Sequence, residues 1–244
     1  MRLLLSGEGP TDIGCLRPGN EGPEFQPGPM AWLVDRMIQN RLDFSPIELS
    51  ADDPEALGFV SKAELAEDAA ASRPGKPRTL PGYTRGKGNG YFTRNAELLG
   101  RRAVAEAATT DRHVVAVLFR DSDGTGISPR DDWEQKVDSM VNGFSRAGFD
   151  RGVPMVPRPK SEAWLLCALK DPPYQHCARL EDESGNDNSP NSLKRQLAAL
   201  IGHEPGAEEQ SGWVRDGRVD PDRLNLPSFQ AFTLSLNAAL DQLG

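Results

Sequence analysis

Six consecutive apolar residues, Val114-Val115-Ala116-Val117-Leu118-Phe119, run directly into Arg120-Asp121-Ser122-Asp123-Gly124. A run this short, rich in β-branched side chains and without polar alternation, predicts a strand buried on both faces. Such a strand needs helices above and below it, which commits the chain to an α/β fold. Two carboxylates then stand one residue apart just past the strand. In extended backbone Asp121 and Asp123 share a direction and project beyond the carboxyl end of the sheet, where open α/β sheets hold ligands. Acids this close repel unless a cation or a shared proton intervenes, and a divalent metal is the natural guest. The plainer reading is an Asp/Gly turn that closes a strand.

The arrangement recurs twice. A strand over Arg2–Ser6 leads into Gly7-Glu8-Gly9-Pro10-Thr11-Asp12, where the glycines flanking Glu8 let backbone pass close to a ligand. A strand over Gly152–Val156 leads into Pro157-Arg158-Pro159-Lys160-Ser161-Glu162 and then a helix over 163–169, with Ser161 near its N-cap. Helices separate the strands. Met30, Leu33, Val34, Met37 and Ile38 fall at helical spacing; Thr93 caps a helix carrying Leu98, Leu99 and Ala103. Ser128-Pro129 opens another, with Trp133, Val137, Met140 and Phe144 as its buried stripe. The expected domain is a three-layer α/β unit over 1–170 with a central, mainly parallel sheet and an insertion at about 51–93. A mostly helical C-terminal extension over 171–244 packs on the same domain. Gly14–Pro29 reads as a loop, Pro46–Ser50 as a short strand, and 181–190 as a polar, mobile stretch. In this topology Glu8, Asp121 with Asp123, and Glu162 fall on one edge of the sheet.

Charge narrows the function classes. The chain of 244 residues carries a net charge of -8, which argues against coating nucleic acid through overall positive charge. Yet eight basic residues between Arg73 and Arg102 face a single acid, Glu97. Arg85, Lys87 and Arg94, interleaved with Tyr83, Tyr91 and Phe92, fit a groove in which single-stranded bases stack beside positive charge. The competing reading is a solvated loop. No apolar run approaches the roughly 20 residues that span a bilayer. The three scattered cysteines, Cys15, Cys167 and Cys177, argue against a disulfide framework and fit a reducing cytoplasm. His176 and Cys177 with Cys167 lack a fourth ligand for zinc.

Carboxylates without paired His or Cys favour Mg²⁺ or Mn²⁺ over Zn²⁺, and such ions leave coordination positions for phosphate oxygens. The chemistry they serve is phosphoryl or phosphodiester transfer, with Glu8 or Glu162 handling a proton and Lys160 offsetting charge that grows on the phosphate. Glu8 through Asp12, then Asp121-Ser122-Asp123 after an apolar strand, then Pro159-Lys160-Ser161-Glu162-Ala163-Trp164-Leu165-Leu166 resembles the Toprim pattern. The set is similar to the Toprim domain of the overcoming-lysogenisation-defect nucleases and their bacterial standalone relatives. The resemblance implies Glu8 as general acid/base and metal ligand, Asp121 and Asp123 as metal ligands, and Asp12 and Glu162 as further acids at the metal. It also implies a nuclease, in a phage-defence or toxin setting. The chain departs from the pattern in its long interval between Asp12 and Asp121. It also lacks an ATPase segment ahead of the motifs, so a separate ATPase or other activating partner is expected.

Two other readings compete. Asp121-Ser122-Asp123-Gly124-Thr125 also resembles the signature of haloacid-dehalogenase-like phosphatases, with Asp121 as nucleophile and Asp123 as acid/base. That motif usually opens its fold, no later strand ends in paired aspartates, and Glu8 would have no task. The third reading is a non-catalytic α/β module that binds phosphate or a partner protein.

Overall fold

The structure, a computed structural model, describes residues 1–19, 22–71, 90–122 and 130–243. The first strand, β1 (Arg2–Gly7), gives way to one π-helical turn, Gly9–Ile13, and a hairpin of β2 (Gly14–Pro18) and β3 (Pro23–Pro27). Helix α1 (Pro29–Leu42) and the short α2 (Pro46–Leu49) follow, then β4 (Leu57–Val60) and α3 (Lys62–Ala71). Next come α4 (Gly90–Thr110), β5 (Val114–Phe119), α5 (Arg130–Arg146) and β6 (Gly152–Met155). The C-terminal part holds α6 (Glu162–Leu169), α7 (Leu193–Ile201), α8 (Ala207–Arg215) and α9 (Pro227–Asp241). No described helix is long and apolar enough to cross a membrane.

Four strands form one parallel sheet in the order β4-β1-β5-β6, with Ser6 level with Val60 and Leu118, and Gly7 level with Phe119. Alternation along the strands divides the core in two. Leu3, Leu5, Val115, Val117 and Phe119 face α1 and the C-terminal helices, whereas Leu4, Val114, Ala116 and Leu118 face α4 and α5. The sheet is therefore covered on both sides, as the unbroken β5 run requires. From β1 the chain crosses to β4 on one side; from β5 it crosses to β6 on the other. The strand order thus reverses between β1 and β5, opening a crevice at their carboxyl ends.

Several expectations are corrected. The stretch Gly14–Pro29 holds a β-hairpin rather than a loop. Pro46–Leu49 is helical: Ser45 accepts from the Glu48 N–H, Pro46 occupies the first turn, and buried Asp35 takes the Ser45 hydroxyl and the Ile47 N–H. The edge strand comes instead from Leu57–Val60, inside the span 51–93 expected as an insertion. Thr93 lies within α4, which already runs at Gly90. The 181–190 stretch is tied down, with Glu181 1% exposed and Asp187 bonded to Lys160. Cys167 and Cys177, whose scatter argued against a disulfide framework, are joined in a disulfide with Cα atoms 5.1 Å apart; the segment after α6 folds back on that helix. Neither sulfur is left for zinc, and Cys15 is free. The Ser128-Pro129 cap lies outside the described residues.

The C-terminal part shares the main core. Trp164 of α6 is fully buried edge-on to Phe229 and stacked on Phe232, and its indole N–H donates to Ser228 at 2.9 Å. These contacts fasten α9 to the helix that carries Glu162.

Candidate active site

At the carboxyl end of β1 the chain turns back sharply. A Cβ on Gly7 would meet the Ile13 side chain at 2.7 Å, and Gly9, at φ +85°, sits where a Cβ would strike the Asp12 carboxylate. The two glycines thus serve the π-turn that swings Asp12 back toward the sheet edge, rather than leaving backbone open to a ligand.

Ser161 organises the site. Its backbone N–H donates to Oδ1 of Asp121 at 3.1 Å, and its hydroxyl donates to Oδ1 of Asp12. It stands at the N-cap position of α6, as expected, but its side chain makes no capping bond: its backbone is already helical (φ -55°, ψ -32°) and its hydroxyl is committed to Asp12. One 2%-exposed serine therefore joins the loop after β1 to the loop after β5. Thr11 gives Asp12 a second hydroxyl contact at 3.3 Å.

Burial pushes the Asp12 carboxyl above its ordinary range; the Ser161 and Thr11 hydroxyls and the Lys160 charge counter this only in part, and Glu8 adds to it. Glu162 is raised by burial and then by the charge of Asp12. These two acids feel each other, as carboxylates sharing a confined site must. Burial pulls the Lys160 ammonium down, but its 2.9 Å bond to Asp187 and the charges of Glu162 and Asp121 outweigh that and hold it raised. Glu8 lies at the outer side, with Lys62 Nζ 3.4 Å from its carboxylate. A small cavity of about 80 Å³ opens beside Thr11, Asp12 and Glu162, walled on the far side by Lys194 and Glu204.

Glu8, Asp12, Asp121, Lys160 and Glu162 thus all stand at one end of the sheet, linked by hydrogen bonds or by mutual electrostatics. Asp123 lies outside the described residues. So do Arg85 and Lys87. Arg94 is described, on α4, where it pairs with Glu97 at 3.5 Å. Among the described residues no three His, Cys, Asp or Glu side chains form a ready-made metal-holding group. The donor chemistry fits a hard divalent cation nonetheless, since the acids offer oxygen only and their crowding raises their affinity for positive charge.

Sequence reading missed three participants. Ser161 carries a helix-start signal that hides its bridging role, and Lys62 and Asp187 lie in segments whose docking no local pattern reveals. Comparison of the chain with protein-family models, with curated proteins and with solved structures finds no match.

Proposed function

We propose that the chain is a divalent-metal-dependent phosphodiesterase acting on nucleic acid, with the carboxylates arranged in the Toprim manner. The observation that carries this reading is the Ser161 bridge, which draws Asp12 and Asp121 together at the point where the strand order reverses. Glu8, Asp12, Asp121 and Glu162 are the residues to hold Mg²⁺ or Mn²⁺. When bound, the ion supplies positive charge to the phosphate oxygens and lowers the pKa of a ligated water. Glu8, with Lys62 Nζ 3.4 Å from its carboxylate, is the proton carrier. Lys160, next to Glu162 and Asp121 and held by Asp187, meets the charge that accumulates on the phosphate. Asp121 and Asp12 are fixed by Ser161 before substrate arrives, so the site spends little reorganisation during reaction.

The reading extends to phage defence or a toxin system and to a separate activating ATPase, both carried by the resemblance alone; the cytoplasmic setting expected from the scattered cysteines loses that support with the Cys167–Cys177 disulfide. The test is cleavage of plasmid, single-stranded DNA and RNA in Mg²⁺ or Mn²⁺ by the full chain, beside Glu8→Gln and Asp121→Asn. Each variant is expected to lose about 10²-fold or more. Cleavage that survives in folded forms of both variants overturns the reading. Thermal unfolding with added Mn²⁺ gives a second readout: the midpoint should rise for the native chain and rise less for Asp121→Asn.

A further inference from the structure

On the other face of the sheet from α1, a cavity of about 320 Å³ lies between α3 and α4, walled by Lys62, Leu65, Ala69, Tyr91, Arg94 and Asn95. Among the described residues, three buried side chains on this side of the sheet carry hydrogen-bond donors without a partner. Arg120, the residue before Asp121, is fully buried; its Nη1 reaches the Phe119 carbonyl, while its Nε and Nη2 have no partner. Asn95, 7% exposed, has an unpartnered Nδ2. Ser6, level with Val60 and Leu118 on the same face, has an unpartnered hydroxyl. Buried polar groups are ordinarily satisfied, and a buried guanidinium with two idle nitrogens is among the costliest exceptions.

Tyr91 connects the buried arginine to the cavity. Its ring lies 5.5 Å from the Arg120 guanidinium carbon and 6.0 Å from Lys62 Nζ, yet Tyr91 is 43% exposed. It is a lid of one side chain over Arg120. The nearby acids are already engaged: Glu64 and Asp68 by Arg102, Glu97 by Arg94 and Arg101, and Glu8 by Lys62. Lys62 and Arg94 are themselves paired in these contacts, so among the described residues the Arg120 guanidinium is the charge left unbalanced, and a phosphate would compete with Glu8 and Glu97 for the other two. The remaining wall, Leu65, Ala66, Ala69 and Ala70 of α3, is apolar, as the face of a base or sugar requires.

We propose that this cavity binds the terminal phosphate monoester of a nucleotide. Tyr91 turns aside, Arg120 and Asn95 donate to the phosphate oxygens, Lys62 and Arg94 supply charge at the rim, and the base rests on the alanine face of α3. Lys62 touches Glu8 as well, so the cavity adjoins the carboxylate site. The inference rests on the nuclease reading only for the origin of the ligand, a phosphorylated strand end as opposed to a free mononucleotide. The donor set itself is independent of it.

The test is calorimetric titration of the full chain in EDTA, which leaves the carboxylate site without metal. The probes are a nucleoside 5′-monophosphate, a short 5′-phosphorylated oligonucleotide and the same oligonucleotide with a 5′-hydroxyl. The phosphorylated probes are expected to bind, with the hydroxyl strand at least about tenfold weaker. Binding of the strand alone assigns the ligand to nucleic acid; binding of the mononucleotide alone assigns it to a free nucleotide. Arg120→Met should weaken binding by about tenfold or more, and Ala69→Trp, which fills the cavity from α3, should do the same without touching a buried charge. The titration is read without metal and without cleavage, so a failed cleavage assay leaves this result standing. No saturable binding, equal affinity for the hydroxyl strand, or unchanged affinity in Ala69→Trp overturns the proposal.

Discussion

The hydroxyl of Ser161 donates to the carboxylate of Asp12 across 149 positions of sequence, while its N–H holds Asp121. Through this residue the ends of two neighbouring strands act as one site. Ser161→Ala should therefore leave Asp12 half-buried with only Thr11 as hydroxyl donor and push its carboxyl further up, since the Ser161 bond acts to lower it. The expected cost at neutral pH is about 1–3 kcal/mol of stability, read by urea unfolding. An Ala variant as stable as the native chain would show that the bridge carries no weight.

Glu162 gives a pH signature with a definite sign. Its carboxyl is raised in the folded chain, first by burial and then by Asp12, so the folded state holds the proton more tightly than the unfolded one. The stability this confers is complete below the unfolded value of 4.5 and is lost as pH rises through the folded value. Glu162→Gln, which cannot ionise, should raise the unfolding midpoint at about pH 8 and leave it nearly unchanged at about pH 4. A variant that shifts the midpoint equally at both would contradict the electrostatic account.

Lys160 should matter for rate more than for fold. It is half-buried and bonded to Asp187 at 2.9 Å, and Glu162 and Asp121 hold its charge in place. Lys160→Met is expected to lower kcat of phosphodiester cleavage by about 10²–10³-fold with a modest change in KM. Lys160→Arg, which keeps the charge but not its position, should recover only part of it.

Arg158 secures the C-terminal helices to the site. It reaches Glu181 at 3.7 Å and Asp182 at 2.9 Å, and Glu181, 1% exposed, accepts the Ser228 N–H at the start of α9 at 2.7 Å. Arg158→Leu would leave a buried carboxylate without its counter-charge, at an expected cost of about 3–5 kcal/mol by urea unfolding. Glu181→Gln, which keeps an acceptor for Ser228, should cost markedly less.

Thiol titration tests the cysteine pairing directly. Denatured, unreduced protein should release one thiol, that of Cys15, and all three after reduction. Three thiols without reductant would mean that Cys167 and Cys177 are not joined.

The parallel sheet was legible because the evidence for it is local. The unbroken apolar run at 114–119 has one comfortable place, a strand covered on both faces, and the 3.6-residue stripes of α1 and α5 supply the cover. The acids after β1, β5 and the loop beyond β6 were legible for the same reason, since parallel strands send their carboxyl ends to one edge. The segment 46–60 was not. Pro46-Ile47-Glu48-Leu49 has as much apolar character as Leu57-Gly58-Phe59-Val60; it is helical with Ser45 and Pro46 at its start and with buried Asp35, ten residues upstream, taking the Ser45 hydroxyl and the Ile47 N–H. What sequence determined by itself, then, was the layer architecture and the edge on which the acids gather, because both follow from periodicity and strand direction. Which acids are joined was decided only by tertiary structure: a hydrogen bond needs donor and acceptor within about 3 Å, and no pattern in the chain brings Ser161 that close to Asp12 until the sheet, α6 and the π-turn are packed together.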